Sequence, residues 1–227
     1  MKQIGQDQAG FTLVELAIVL VIIGLLLGGI LKGQEMITQA KIKNVVNDLN
    51  GISAALNSYQ DRYRALPGDD KNATARWTAT AILQGNGDGV VAGKYNTTTA
   101  TDESALFWQH LRLAGFISGT GTDNPSNAVN GKMGVQTGDA AGGAAGVLGT
   151  TVGPPPVAGF TGLIMCTANL PDKIAIAIDA QTDDGSGTTG AMRGKDQAGV
   201  SNPDVSDTAG AYVEDGTKSY LVCRTMT

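Results

Sequence analysis

The strongest pattern in the chain is an apolar stretch near its N-terminus. Residues 11–31 read FTLVELAIVLVIIGLLLGGIL, and Glu15 is the only charged residue among these 21. In α-helical conformation a stretch of this length spans about 30 Å, the thickness of the hydrocarbon core of a bilayer. The pattern therefore predicts a membrane-spanning helix.

A secretory signal peptide is the competing interpretation of this stretch. Such a peptide has a basic n-region, a shorter apolar core and a small-residue cleavage site. Here Lys2 is balanced by Asp7, and the stretch ends in LKGQE without a small-residue triplet. The sequence therefore favours a helix that is retained.

A second apolar pattern follows the first. Its members recur at intervals of three and four residues, which predicts an amphipathic continuation of the same helix: Ile42, Val45, Leu49, Ile52, Leu56, Tyr59, Tyr63 and Leu66. Pro67 ends the pattern, so one helix is predicted from Phe11 to about Leu66. A coiled coil with another chain is the alternative, but packing against the chain's own globular part is favoured because the stripe lacks regular flanking charge pairs.

The residues at the start of the apolar stretch carry a resemblance. Gly10-Phe11-Thr12-Leu13-Val14-Glu15, followed by the apolar run, resembles the processing site of type IV prepilins and pseudopilins. The resemblance implies that prepilin peptidase cleaves between Gly10 and Phe11 and methylates the new amine of Phe11. It also implies that Glu15 pairs with the Phe11 amine of a neighbouring subunit.

The physical chemistry of Glu15 agrees with this assembly role. A carboxylate at membrane depth is costly unless it has a partner, and opposite charges attract strongly at low dielectric. A carboxylate that is simply solvated at the headgroup boundary is the alternative.

The resemblance also implies partners and a location. The expected partners are copies of the chain, related pilins, prepilin peptidase, an inner-membrane assembly platform and the membrane itself. The precursor would cross the bacterial inner membrane once with its C-terminal domain in the periplasm, and then join an extracellular pilus or a periplasmic pseudopilus. Counting flanking lysines alone, with Lys32, Lys41 and Lys43 after the stretch, predicts the opposite orientation, and the resemblance takes precedence.

The fold class implied is α+β and pilin-like. A long N-terminal helix, membrane-spanning in its first half, would pack on a C-terminal antiparallel β-sheet with long Gly-rich loops. The expected organisation is a leader over residues 1–10, a transmembrane half-helix over 11–31, an amphipathic half-helix over 32–66 and a globular pilin domain over 67–227. The expected role is a structural subunit and not an enzyme.

Two details of the helix bear on that role. Gly24 and Gly28 have the small-xxx-small spacing that lets transmembrane helices approach closely, although local flexibility is an equal alternative. Many major pilins carry a proline near the end of the apolar stretch, where this chain has Lys32. A minor tip subunit that binds DNA, a surface or secreted cargo therefore remains the alternative function.

The remaining sequence predicts short helices over residues 70–83 and 103–113, and Gly-rich loops over 115–162. Strands are predicted over residues 160–166, 173–178 and 219–223. Cys166 and Cys223 end two of these runs. A disulfide between them would close a loop of about 58 residues, and the resemblance to pilins with a C-terminal disulfide supports it, with buried free thiols as the alternative.

Composition narrows the chemistry that the chain can perform. Two Cys and one His are too few for a structural zinc site, and a formal charge of −5 argues against a nucleic-acid binder. His110 lacks a second His or a nucleophile motif, so a packing or surface role is favoured over catalysis. No cofactor is expected, except that Asp179, Asp183 and Asp184 form a candidate calcium site, because some pseudopilins bind calcium in C-terminal loops. Residues 84–89 resemble part of a calcium loop, but a plain turn is favoured there.

Overall fold

The computed structural model describes residues 12–77, 82–138, 147–150, 158–206 and 208–226. It contains four helices and four strands in these ranges: α1 Leu13–Tyr63, α2 Ala73–Arg76, α3 Glu103–Leu113, β1 Met133–Thr137, β2 Leu163–Pro171, α4 Asp172–Thr182, β3 Met192–Asp196 and β4 Ser219–Thr225. The chain divides into two compact units, Met1–Ala40 and Lys41–Thr227. The fold is α+β and pilin-like, as the sequence predicts.

Helix α1 confirms the predicted long helix. It runs without a break for 51 residues and ends three residues before the predicted Leu66. Arg64, directly after it, has a φ of 53°, the left-handed backbone that commonly terminates helices. The predicted stripe forms one side of the main hydrophobic core: Ile42, Val45, Leu49, Ile52, Ala55, Leu56 and Tyr59 are buried. The amphipathic half therefore packs on the chain's own globular part.

The sheet in unit Lys41–Thr227 is antiparallel throughout, with the strand order β1-β2-β4-β3. Its two central strands present alternate residues to two different cores. Met165, Tyr220 and Val222 belong to the core that contains the α1 stripe. Ile164 and Leu221 face a second core, which lies on the other side of the sheet. Because both faces are covered, the central strands are apolar at successive positions.

The second core contains residues from the region predicted to form Gly-rich loops, residues 115–162. Val147, Leu148 and Phe160 are buried there, and Val147 pairs with Phe160 in an isolated bridge. Arg193 of β3 holds this layer, since its guanidinium donates to the carbonyl oxygens of Leu148 and Ala158 at 3.0 and 2.6 Å. The described part of the Gly-rich region thus covers a face of the sheet.

The strand predicted over residues 173–178 is wrong, because these residues lie in α4. Ile174, Ile176 and Ile178 alternate as in a strand, but positions 174 and 178 are also one helical turn apart. Ile174, Ala175 and Ile178 form the buried face of the helix, whereas Ile176 is only half-buried. Alanines among the isoleucines favour the helix, and packing against the sheet decides the outcome.

Two other predicted strands are present with different bounds. The first begins at Leu163 and continues to Pro171, beyond the predicted end at residue 166. The second begins at Ser219 as predicted and continues to Thr225. The predicted helix over residues 103–113 is confirmed as α3. In the part of 70–83 that the structure describes, the helix is the four-residue α2.

Candidate assembly site

The N-terminal half of α1 is an exposed apolar surface. Every described residue from Thr12 to Lys32 is exposed, including those from Leu13 to Leu31 with large apolar side chains. By length and composition this part of α1 is able to cross a membrane. An apolar helix of this length needs lipid or other helices as its surroundings.

Glu15 caps the start of this helix. The backbone amide and the hydroxyl of Thr12 donate to Oε2 of Glu15 at 2.9 and 2.8 Å. In return, the Glu15 amide donates to the Thr12 hydroxyl at 3.3 Å. This reciprocal arrangement is a capping box, which satisfies amide groups that the first turn of a helix leaves free. It places the carboxylate on Thr12, the residue that follows Phe11 in the sequence.

The predicted processing residues, Gly10 and Phe11, lie outside the described residues. Glu15 is therefore the described member of the predicted pair, and its pairing with a Phe11 amine stays a prediction. Sequence reasoning identified the carboxylate but missed its cap. The signal was present, because Thr12 and Glu15 have the spacing of a capping box.

Gly24 and Gly28 lie one turn apart in α1. A Cβ atom added at either position would meet no atom within 4 Å. Both backbones are therefore open to a neighbouring helix. Their predicted role in packing stays a prediction.

Cys166 and Cys223 form a disulfide. They lie opposite each other on the central strands β2 and β4, with their Cα atoms 4.0 Å apart. Both are fully buried in the second core. They lie inside their strands, not at the ends as the sequence pattern suggested, because both strands continue further.

The three acidic residues of the candidate calcium site are close together. Each of Asp179, Asp183 and Asp184 offers a carboxylate oxygen within 4.8 Å of the others. Their oxygens already accept hydrogen bonds from the protein: Tyr212 donates to Asp179 at 2.8 Å, and the Met192 amide donates to Asp183 at 2.7 Å. The chemistry of the ligands suits calcium, but the donors present compete for the same oxygens. Calcium binding here stays a prediction.

The pKa of Asp179 is raised to about 6, chiefly by burial and with smaller contributions from the nearby carboxylates of Asp184 and Asp183. Hydrogen bonds from Tyr212 and from the Gly185 amide act in the opposite direction. The two neighbouring carboxylates thus add to the free-energy cost of ionising the buried Asp179.

A second acidic cluster was missed from the sequence. Asp69, Asp88 and Glu103 also bring carboxylate oxygens within 4.8 Å of one another. The carboxylate of Asp69 accepts hydrogen bonds from two backbone amides of the glycine-rich turn, those of Gly87 at 2.5 Å and Gly89 at 2.7 Å. Asp88 falls in the segment that resembled a calcium loop, but its neighbours come from distant positions that no local spacing reveals. The turn interpretation agrees with these bonds.

His110 is buried in the core, in agreement with the packing role, one of the two roles that the sequence favours. The Gly68 amide donates to its Nδ1 at 2.9 Å, and its Nε2 lies 2.9 Å from the Leu83 carbonyl oxygen. Burial lowers the pKa of His110. The ring therefore carries one proton, on Nε2, and links two loop segments to α3.

Comparison with known proteins supports the prepilin resemblance at the N-terminus. Residues 5–31 match the family described as the prokaryotic N-terminal methylation motif. No curated protein and no solved structure matches the chain. The motif indicates a structural subunit whose apolar helix anchors it in a membrane before assembly. The chain carries the N-terminal methylation motif that is the hallmark of type IV pilin and pseudopilin precursors, together with a pilin-like α+β fold.

Proposed function

We propose that this chain is a filament subunit of a type IV pilus or a pseudopilus. Prepilin peptidase removes residues 1–10 and methylates the amine of Phe11. The mature subunit then leaves the inner membrane and enters the filament through its N-terminal helix. Its domain over residues 67–227 lies in the periplasm before assembly and on the filament surface afterwards.

The observation that carries this proposal is the contrast between the two halves of α1. The half after Ala40 buries its apolar stripe in the chain's own core. The half before it exposes apolar residues on all sides and contains one acid among residues 11–31. A helix that is apolar all round is suited to lipid and to a bundle of like helices. Transfer of this half of the helix from lipid into a bundle of like helices is the physical basis of the proposed assembly.

Glu15 favours the transfer of the helix from lipid into the filament. In the isolated chain its carboxylate has Thr12 as a local partner. Cleavage after Gly10 creates a cationic amine on Phe11, and a neighbouring subunit can offer that amine to Glu15. An ion pair in a dry helical bundle is more favourable than the same carboxylate at the lipid surface. Gly24 and Gly28 allow the helices in that bundle to approach closely.

Shearing filaments from cells that express the chain tests the proposal. The sheared fraction is analysed by mass spectrometry for the abundance and the N-terminus of this chain. We expect a chain that begins at methylated Phe11 and retains residues 11–227. An uncleaved chain in filaments, or cleavage at another residue, would contradict the proposal.

The same fraction distinguishes the main subunit from a minor one. The unbroken helix at Lys32, where many major pilins have proline, favours a minor subunit at the tip, one that binds DNA, a surface or cargo. The intact pair of Phe11 and Glu15 favours the main subunit. Recovery as the dominant protein assigns the main role, and recovery at trace level together with another dominant pilin assigns the minor role.

A further inference from the structure

Asparagine or aspartate is followed directly by glycine at six steps of the sequence, and all six lie in the part of the chain that the structure describes. One of them, Asn50-Gly51, is inside α1, where backbone amides bond within the helix. The other five steps form turns, and the residue before each glycine is exposed: Asn86, Asp88, Asn130, Asp184 and Asp215. An exposed step of this kind is where a polypeptide reacts most readily with its own side chain.

The reaction at such a step is a cyclisation. The backbone nitrogen of the glycine attacks Cγ of the preceding side chain, so that an N–Cγ bond forms and the bond from Cγ to the NH2 or OH group breaks. The amide proton of the glycine leaves with that group, as ammonia from asparagine or as water from aspartate. Water then opens the cyclic imide to aspartate or to isoaspartate, which lengthens the main chain by one carbon atom. Glycine permits the attack because it has no side chain to obstruct it.

In each of the five turns, a side chain outside the step binds the glycine amide. Asp69 serves two steps, since its carboxylate accepts from Gly87 at 2.5 Å and from Gly89 at 2.7 Å. The remaining bonds join Gly131 to Asn127 at 2.8 Å, Gly185 to Asp179 at 2.9 Å and Gly216 to Asp172 at 2.6 Å. All four acceptor residues are buried: Asp69, Asn127, Asp172 and Asp179.

Water could satisfy several of these amides. Gly87, Gly89 and Gly216 are exposed, and an exposed amide finds a partner in the solvent. The fold instead uses the carboxylates of Asp69 and Asp172, whose removal from water costs free energy. The need for a hydrogen-bond partner therefore does not by itself account for the buried acceptors.

Four of the five side chains that precede the glycines are held as well. Each accepts a hydrogen bond from the amide that follows the glycine: Asn86 from Asp88 at 2.8 Å, Asp88 from Val90 at 2.8 Å, Asp184 from Ser186 at 2.9 Å and Asp215 from Thr217 at 2.9 Å. These bonds restrain the side chain that would be attacked. No described amide holds the side chain of Asn130 in this way, so that step depends on Asn127.

We propose that these turns are latent sites of spontaneous modification and that their buried acceptors keep them unreactive. Asp69 acts in this way on Asn86, and Asn127 acts on Asn130. The glycine nitrogen loses its proton as it attacks, and an acceptor oxygen that holds this proton opposes the loss. The hydrogen bond also fixes the peptide group, which has to rotate before its nitrogen reaches Cγ. The proposal does not depend on the assembly function.

The two asparagine steps provide the measurement, because deamidation replaces an NH2 group by OH and so changes the mass of the peptide. The full chain is incubated in detergent micelles at mildly alkaline pH, and the peptides that contain Asn86 and Asn130 are followed by mass spectrometry. The reference is the same chain, reduced and unfolded in guanidinium chloride at the same pH. We expect both asparagines to deamidate at least about tenfold more slowly in the folded chain, because a hydrogen bond has to be broken before the attack.

Two reciprocal variants test the acceptors one at a time. Asn127→Ala is expected to speed the deamidation of Asn130 while that of Asn86 stays slow. Asp69→Ala is expected to speed the deamidation of Asn86 while that of Asn130 stays slow. Each variant also reports on its own folding, because general unfolding speeds both sites.

Asn124→Ala is the matched control. Asn124 lies close to Asn127 in the sequence, and its side chain donates to the carbonyl oxygens of Tyr95 and Met133. We expect this variant to leave both rates unchanged.

The proposal is overturned if Asn86 and Asn130 deamidate as fast in the folded wild type as in the unfolded chain. It is also overturned if both reciprocal variants speed the two sites equally, or if Asn124→Ala speeds Asn130 as much as Asn127→Ala does.

Discussion

The fold buries Asp179 at a position where the ionised form of its carboxyl group is unfavourable. It accepts hydrogen bonds from the Tyr212 hydroxyl at 2.8 Å and from the Gly185 amide at 2.9 Å. These bonds do not compensate for its burial, since its pKa is raised to about 6 by desolvation. The folded state therefore holds the proton of Asp179 more tightly than the unfolded state does.

This difference predicts a dependence of stability on pH. Between pH 4 and 6 the folded protein binds more protons at Asp179 than the unfolded chain, whose aspartates have a pKa of about 3.9. Protonation of Asp179 thus stabilises the folded state at pH 4, and this stabilisation is lost as the pH rises to about 6. We expect Asp179→Asn to gain stability relative to the wild type over that interval. Thermal melts of both proteins at pH 4, 5, 6 and 7 check this, and a constant difference in melting temperature would contradict it.

Gly85 is required by a close approach of two backbone segments. A Cβ atom at this position would lie 2.3 Å from Cα of Asp69 and 2.4 Å from the Gly68 carbonyl oxygen. Gly51, in contrast, lies in α1, and a Cβ atom there would meet nothing within 4 Å. The two positions form a matched pair for the same substitution.

We expect Gly85→Ala to lower the free energy of unfolding by about 3 kcal/mol, because backbone atoms have to move apart. Gly51→Ala is expected to raise it by up to about 1 kcal/mol, because alanine favours the helix. Urea unfolding followed by circular dichroism measures both values. Equal effects of the two substitutions would show that the packing at Gly85 is looser than described.

At the scale of elements, the disulfide joins the two central strands of the sheet. It connects positions 57 residues apart in the sequence. Closing a loop of this length in the unfolded chain contributes about 4 kcal/mol in the chain-entropy model. The bond therefore supports the sheet beneath the amphipathic half of α1.

Removing this disulfide is expected to lower the free energy of unfolding of the globular part by about 4 kcal/mol. The measurement compares the melting temperatures of the protein with and without a reductant, and those of the double variant Cys166→Ala/Cys223→Ala. Alkylation and mass determination of protein from a native envelope give the redox state independently. Two free thiols in that protein, or an unchanged melting temperature after reduction, would contradict the expectation.

The elements differ in how far their sequence determines them. The stripe from Ile42 to Tyr59 predicted a helix and its buried face, since the period of a helix is visible within the segment itself. Residues 173–178 match the periods of a strand and of a helix, so only their packing on the sheet selects α4. The edge strands β1 and β3 are short, each contains a glycine, and β3 has charged residues. Their pairing partners, not their own pattern, make them strands.

The same reasoning applies to the candidate sites. Glu15 and its cap lie within four residues and are readable from the sequence. The acidic cluster around Asp69 joins Glu103, which lies 34 positions later. Such sites depend on which elements the fold brings together, and local spacing carries no signal for them.

At the scale of the whole molecule, one continuous helix serves two different surroundings. Its residues after Ala40 stabilise the globular unit, and its residues before that point present an apolar surface with a single acid within residues 11–31. The described residues of the first half up to Lys32 are all exposed, so none of them lies in the core of the globular unit. Their apolar surface is available for the assembly that we propose.

The charge of Glu15 is central to the proposed assembly, and its observed role in capping has to be separated from its proposed role in pairing. Glu15→Gln removes the charge but retains a side chain that suits a capping box. Thr12→Ala removes the cap partner and retains the charge. Both variants keep the apolar character of the helix, so both are expected to be inserted in the membrane and cleaved after Gly10.

The most direct measurement is the amount of mature chain in sheared filaments from cells that produce Glu15→Gln, Thr12→Ala or the wild type at equal levels in the membrane. We expect Glu15→Gln to be cleaved but at least about tenfold depleted from filaments, which corresponds to the loss of a partly desolvated ion pair. Thr12→Ala is expected to assemble as the wild type does. Normal filaments from Glu15→Gln, with the leader removed, would contradict the pairing of Glu15 with a neighbouring N-terminus.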